Sequence, residues 1–469
     1  MQTNNNSADR LGYRPIGELL LKFSIPAISG MLLNGLYNAV DRIFVSRGVG
    51  ELALTGLSIV LPLMTVSMAF AMLFGVGCAN MISMRLGQQR RNDAENALQH
   101  GFWLLLISSI VLALIEFPLI DWLLVLLGAQ PGSDAMDYAR SYYRIILAGQ
   151  PFMMVGFGLS HSTRAQGFPV VSMVGMFIGA GLNMILDPIF IYGLRWGVEG
   201  AAIATIISQA ASAFWMLTFC LGKRAVIRLR PFAIKADWRV AFAVMNFGCS
   251  QFLLQFAMSS VQFLINSSMQ WYGAAALGVM DGGDIALASM NIIGTFNMIF
   301  LMPIFGINQG AQPVLGFNYG ARKFARVRKA YLGAVSAATL ICIAGFIWAE
   351  FFPESIVMIF APRGSETLLS FTPRAFRIAE PLIFLAGFQI VSTNMFVVTG
   401  RPKVSIVLSL MRQCIAIVPA ILIFGKIWGL LGVVAAMPFA DAVSTILTAF
   451  MIVREMKKLK RGAAEQAAV

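Results

Sequence analysis

The sequence predicts an all-α, polytopic membrane protein of twelve transmembrane helices, in two six-helix lobes related by a pseudo-two-fold duplication. Three observations predict it. First, of 469 residues 58% are hydrophobic and only 12% charged, roughly half the charge of a soluble domain, and mean hydropathy is +0.76. That little charge cannot cover a water-facing surface. A cytosolic enzyme, a disordered chain and a disulfide-rich secreted scaffold are therefore excluded. Second, apolar stretches of about 20 residues, enough to cross a bilayer, recur along the whole chain. Third, short motifs repeat in order at a nearly constant offset.

The spans are expected near 17–45, 52–80, 96–117, 137–160, 169–192, 198–221, 241–270, 285–312, 329–351, 374–398, 404–425 and 430–453. The apolar stretch 118–128 is too brief to cross and is expected at the membrane interface. Residues 1–15 are polar, and the first apolar stretch carries no small-residue cleavage site, so it reads as a retained helix.

The repeat pairs ELALTGLSI from Glu51 with DIALASMNI from Asp284, and GFPVVS from Gly167 with GRPKVS from Gly400, both at an offset of 233. It pairs YGLRWGVEG from Tyr192 with FGKIWGLLG from Phe424 at an offset of 232. Six spans per copy is an even number, so both copies enter the membrane the same way round. The pseudo-two-fold axis then runs along the membrane normal, with a substrate path between the halves. Residues 1–221 form the amino-terminal lobe, 222–240 a basic cytoplasmic linker and 241–469 the carboxy-terminal lobe.

The net charge of +13 would suggest nucleic acid in a soluble protein. Here the basic residues gather in short connections: Arg85, Arg90 and Arg91; the 223–239 stretch; Arg322, Lys323, Arg326, Arg328 and Lys329; and the tail from Arg454 to Arg461. The alternate connections carry acids, among them Asp134, Asp137, Glu350, Glu354 and Glu366. Excess basic charge marks the cytoplasmic side, so both termini are expected inside, and no nucleic-acid partner is expected. The five cysteines form no CxxC pair, the two histidines lack metal-ligand company, and no Walker motif, nucleophile elbow or zinc signature occurs. A membrane-embedded enzyme has no candidate centre here, a channel filter has no repeat to build it, and no cofactor or tightly bound metal is expected.

Acids inside a span are costly and mark function by default. Three stand well inside: Asp41, Asp187 and Asp441. Asn34, Tyr37, Asn38 and Asp41 share one helical face, a polar stripe on an apolar helix. Asn183 lies four residues before Asp187, on the same face, and Pro188 follows, loosening the helix and freeing carbonyls. Thr205 and Tyr142 are further polar candidates of the same half. The alternatives are a local pairing of Asp41 with Arg42, a helix-capping role for Asp187, and a structural hydrogen bond for Asp441, with Arg412 as its candidate partner. His161 and Arg164 are expected in a short loop as topology residues. The second copy places no acid at the positions matching Asp41 and Asp187. Its first span offers Gln255 and Ser259 instead, so the asymmetry points to a task performed in one half. Burial in a low dielectric disfavours an ionised carboxylate, which can hold a proton and release it when the pocket hydrates, or bind sodium with amide and hydroxyl oxygens. Bending of the first helix at Pro26 would couple this charge to a cleft. The 27 methionines and 36 phenylalanines suit an adaptable binding surface.

At these residues the chain resembles the multidrug and toxic compound extrusion (MATE) transporters. The resemblance rests on IPAISGMLLNGLYNAVDRIFVSRGVG in the first span, ALTGLS opening the second, NxxxDP in the fifth, GLRWGVEGAAIAT entering the sixth, and the six-plus-six duplication. It is similar to the DinF-like branch and the MepA-type group within it. The resemblance implies secondary antiporters that export cationic, amphipathic drugs in exchange for protons or sodium, with two lobes around a central cleft. It implies an ion site at Asp41, Asn183, Asp187 and Thr205, supported by Tyr37 and Tyr142. The NorM-like branch also places acids on helices 7 and 10. This sequence departs there, offering Gln255, Ser259 and Gln262 on helix 7 and only Glu380 on helix 10. A proton is favoured over sodium as coupling ion. The expected partners are small cationic or amphipathic substrates and membrane lipid, and the expected protein is a monomer in a bacterial or archaeal cell (inner) membrane. The alternative is a lipid-linked oligosaccharide flippase of the same superfamily. That would need cationic groups for a pyrophosphate where this chain offers acids.

Overall fold

The computed structural model describes residues 6–230, 237–277, 279, 281–361 and 364–467. Part of the expected 222–240 linker, residues 231–236, lies outside them. The described residues form helices and no strand. In order these are α1 (Asn6–Tyr13), α2 (Ile16–Gly48), α3 (Glu51–Gly87), α4 (Arg91–Leu126), α5 (Asp134–Ala165), α6 (Pro169–Pro188), α7 (Gly197–Leu221), α8 (Trp238–Ala276), α9 (Gly282–Gly320), α10 (Phe324–Phe351), α11 (Pro353–Phe360), α12 (Glu366–Ala379), α13 (Ala386–Val398), α14 (Pro402–Leu410), α15 (Ile417–Trp428) and α16 (Leu430–Ala467). A π-helical turn, Ile189–Gly193, follows α6, and another, Met411–Ala416, joins α14 to α15.

Ten spans are long and apolar enough to cross a membrane, and α12 with α13, bent by 46°, make an eleventh. The remaining expected span, 137–160, falls on α5, whose 32 residues reach about 48 Å at 1.5 Å per residue. Its hydropathy is lowered by polar side chains that it buries, among them Gln150, Ser160, His161, Ser162, Thr163 and Arg164.

Two expectations are corrected. The 118–128 stretch does not start a new piece after the third span, because α4 continues through Pro118 to Leu126. Glu116, Ile120 and Leu124 are buried at four-residue spacing, so one inward face carries across the proline. His161 and Arg164 are not loop residues. Both are buried in the last turns of α5, where His161 packs on the Phe157 ring and Arg164 donates to the hydroxyls of Ser160 and Ser172.

The duplication is visible in the backbone. Left-handed conformations occur in pairs at the predicted offsets: Gln89 and Arg322 (φ 61° and 59°), Gly167 and Gly400 (97° and 77°), Gly197 and Gly429 (56° and 60°). Ser133 caps α5 by accepting from the amide of Met136, and Ser365 caps α12 by accepting from Leu368, both at 3.3 Å. Pro169 and Pro402 stand at the first position of α6 and α14, where a missing N–H costs nothing.

The chain divides into two compact units, residues 1–252 with 312–322 and residues 253–311 with 323–469. The first holds α1 to α7, the start of α8 and the end of α9. One of its cores gathers Val45, Val60, Ile120, Leu124, Tyr143 and Ile191. Its helices cross closely at glycines. A Cβ on Gly75 would lie 2.7 Å from the Cα of Gly158, joining α3 to α5. At the end of α3 the contact with α9 is reciprocal. A Cβ on Gly87 would meet the Phe317 carbonyl oxygen at 2.0 Å, and one on Gly320 the Met84 carbonyl oxygen at 2.2 Å. The second unit packs α10 to α16 with most of α8 and α9 around Phe296, Ile356, Phe376, Ile421 and Val434. Arg412 donates to Asp441 at 2.5 Å there, the partner anticipated for that acid. Arg401 pairs with the buried Glu455.

Candidate ion-binding site

Four helices of the first unit converge on one polar cluster. On α2, Tyr37 and Asp41 are four residues apart and so project from the same face. On α6, Asn183 and Asp187 do the same, in the last turns before Pro188 and the π-helical turn. Thr205 comes from α7 and Tyr142 from α5. Asp187 has no solvent exposure, and Asn183, Tyr142 and Thr205 are buried with it.

The Asn183 amide ties the cluster together, its Nδ2 donating to Asp187 Oδ1 at 3.1 Å and to Thr205 Oγ1 at 3.4 Å. The Tyr142 hydroxyl lies beside Thr205. The carboxyl groups of Asp41 and Asp187 face each other within hydrogen-bonding range, with the Tyr37 ring beside both. Three buried oxygens have no donor: Asp41 Oδ1, Asn183 Oδ1 and Asp187 Oδ2. Among the described residues neither acid enters an ion pair. Arg42 is exposed and leaves its helix about 100° away from Asp41. Two carboxyls that close cannot both ionise in a low dielectric without a proton or a cation between them. The remaining lone pairs point to the same requirement, since each buried acceptor without a donor carries a desolvation cost.

Other sequence candidates stand elsewhere. Asn34 and Asn38 share the α2 face but are exposed, and Asn38 spends its amide on the Asn34 carbonyl at 2.7 Å. Gln255 and Ser259 lie on α8 in the second unit, where the Ser259 hydroxyl donates to the Gln255 carbonyl at 3.2 Å. Pro26 is buried within an α2 that continues through it. Pro188 closes α6, and the backbone resumes as the π-helical turn, the loosening its missing N–H imposes.

Sequence reasoning gave no role to two buried acids. Glu116, on α4, accepts from the Tyr143 hydroxyl at 2.9 Å. Glu380, after α12, accepts from Asn297 at 2.7 Å. Ending the third span at residue 117 left Glu116 at a helix end. The four-residue spacing to Ile120 and Leu124 was the signal that it faces inward.

A duplicated bundle of membrane-crossing helices, with a buried pair of acids inside one copy, has the build of a membrane transporter. The MatE family model matches the chain at residues 26–189 and 252–422, and the chain belongs to this family, the multidrug and toxic compound extrusion transporters. It is 25% identical over 440 residues, 93% of each chain, to the multidrug export protein MepA of Staphylococcus haemolyticus (strain JCSC1435). Its fold is similar to a solved MATE structure in the bent conformation, with a TM-score of 0.89 at 26% identity, covering 98% of this chain and 99% of that one. It is similar also to the outward-facing conformation of a multidrug resistance MATE family transporter of the MOP superfamily, with a TM-score of 0.88 at 26% identity over 97% of this chain and 99% of the other.

Proposed function

We propose that this chain is a secondary active antiporter that exports small cationic, amphipathic drugs or toxins across the cell membrane in exchange for protons, by alternating access. The observation that carries the reading is the facing pair Asp41 and Asp187, with Asn183, Thr205, Tyr37 and Tyr142 around it. A proton shared between the two carboxyls halves the negative charge of the site and removes their mutual repulsion. Its loss leaves negative charge in oil that a cation or water must meet. Antiport follows when proton and drug favour different members of one conformational equilibrium. Asp41, Asn183, Asp187 and Thr205 hold the ion in this reading, Tyr37 and Tyr142 support them, and Pro26 and Pro188 give their helices room to bend.

Export of drugs is supported by the relative named as a multidrug export protein, and the change of state by a relative solved facing outward. The protein works as a monomer in lipid, in a bacterial or archaeal inner membrane with both termini cytoplasmic, and needs no cofactor. Sodium is the second reading, and the three acceptor oxygens without donors favour it. A flippase finds no support, since the cluster contains no basic side chain.

Reconstitution in proteoliposomes tests the proposal. An imposed pH gradient, with sodium absent, drives uptake of ethidium in wild type. Transport driven by a sodium gradient alone would replace the proton with sodium, and transport by neither would overturn antiport.

A further inference from the structure

The second unit holds a buried charged cluster to which the proposed exchange assigns nothing. Glu380 follows α12, at the break where the 46° bend between α12 and α13 begins. It is 4% exposed, and the amide of Asn297 on α9 donates to its Oε1 at 2.7 Å. Arg412 sits on the π-helical turn between α14 and α15, and its Nε donates to Asp441 Oδ1 of α16 at 2.5 Å. The Glu380 carboxyl lies within electrostatic reach of this pair without bonding to it. The side chains of the pair are 26% and 15% exposed, so the cluster opens toward its Arg412 side. Cys342 of α10 is the other titratable group beside the pair.

Charge counting makes the cluster informative. It contains two carboxyls and one guanidinium. Arg412 is always protonated, so the group is neutral only when one carboxyl carries a proton. Asp441 holds the guanidinium directly, whereas Glu380 has a neutral amide. The proton therefore belongs on Glu380 while Arg412 stays with Asp441.

We propose that Glu380, Arg412 and Asp441 form a second proton-binding centre, additional to the Asp41–Asp187 pair, in which two carboxyls share one guanidinium and Glu380 takes up the proton. When Glu380 releases it, Arg412 serves both carboxylates. Because Glu380 stands at the helix break, its charge state acts where α12 and α13 change direction. The centre would stand even if the exchange at Asp41 and Asp187 used sodium.

Infrared difference spectroscopy of the full-length protein in nanodiscs, titrated with pH, reads protonated carboxyls through their carbonyl stretch without requiring transport. Wild type shows a component that Glu380→Gln abolishes and Asp41→Asn leaves in place. Asp441→Asn frees Arg412 for Glu380, so the Glu380 component disappears at a pH lower by about one unit or more. Arg412→Gln removes the shared cation, and the component persists to higher pH. If Arg412→Gln does not fold, Asp441→Asn carries the test alone. An unchanged spectrum in Glu380→Gln, or a Glu380 component that Asp441→Asn leaves in place or moves to higher pH, overturns the inference. Loss of an Asp41 component on a sodium background bears only on the exchange reading.

Discussion

The carboxyls of Asp41 on α2 and Asp187 on α6 face each other within hydrogen-bonding range, and neither is joined by a basic side chain among the described ion pairs. Removing one acid should therefore do more than remove one ligand. Asp41→Asn and Asp187→Asn should each abolish export of ethidium from cells, with the protein still folded and in the membrane. The amide keeps the volume and removes the exchangeable charge. Efflux assays beside a thermal melt of the purified variant check both parts.

Competition between proton and drug gives a signed pH dependence. A cationic drug gains from the site when it is ionised and loses when it is protonated. Affinity for tetraphenylphosphonium should weaken as pH falls, by up to about tenfold per pH unit for a single competing proton. Equilibrium binding to detergent-solubilised protein between about pH 5 and 8 measures it, and a flat profile would count against competition at this site.

Thr205 links α7 to Asp187 through Asn183. Thr205→Val keeps its shape and leaves the Asn183 amide without that acceptor, at a cost of about 1–3 kcal/mol. Thr205→Ser should restore stability and the wild-type pH profile. Thermal unfolding and binding of the two variants separate a loss of packing from a loss of hydrogen bonding.

Gly87 and Gly320 bring α3 and α9 together through backbone. A methyl at Gly87 would stand 2.0 Å from the Phe317 carbonyl oxygen, and backbone cannot yield as a flexible side chain can. Gly87→Ala should destabilise the first unit by about 1–3 kcal/mol, as overpacking does. On α6, a methyl added at Gly181 would meet no atom within 4 Å. That position should accept alanine without loss, and melting temperatures of the two variants give the comparison.

Much of this was legible because it is local. The pairs Tyr37 with Asp41 and Asn183 with Asp187 follow from four-residue spacing, and the repeat offset anticipates the paired turns at Gly167 and Gly400. What helix faces meet is not local. Nothing near Glu116 specifies Tyr143 as its partner, and nothing near Glu380 specifies Asn297. Asn34 and Asn38 show the converse. Their spacing joins them to Asp41, yet Asn38 bonds along its own helix. Arg164 looked like loop charge because the polar run Ser160–Arg164 lowers hydropathy, although α5 buries that run.

The central claim is that protons and drug exclude one another at Asp41 and Asp187. Proton release on addition of tetraphenylphosphonium to weakly buffered, solubilised protein measures this directly. Wild type should release protons as it binds, and Asp41→Asn should lose most or all of that release. Drug binding without release, or undiminished release from Asp41→Asn, would contradict the claim.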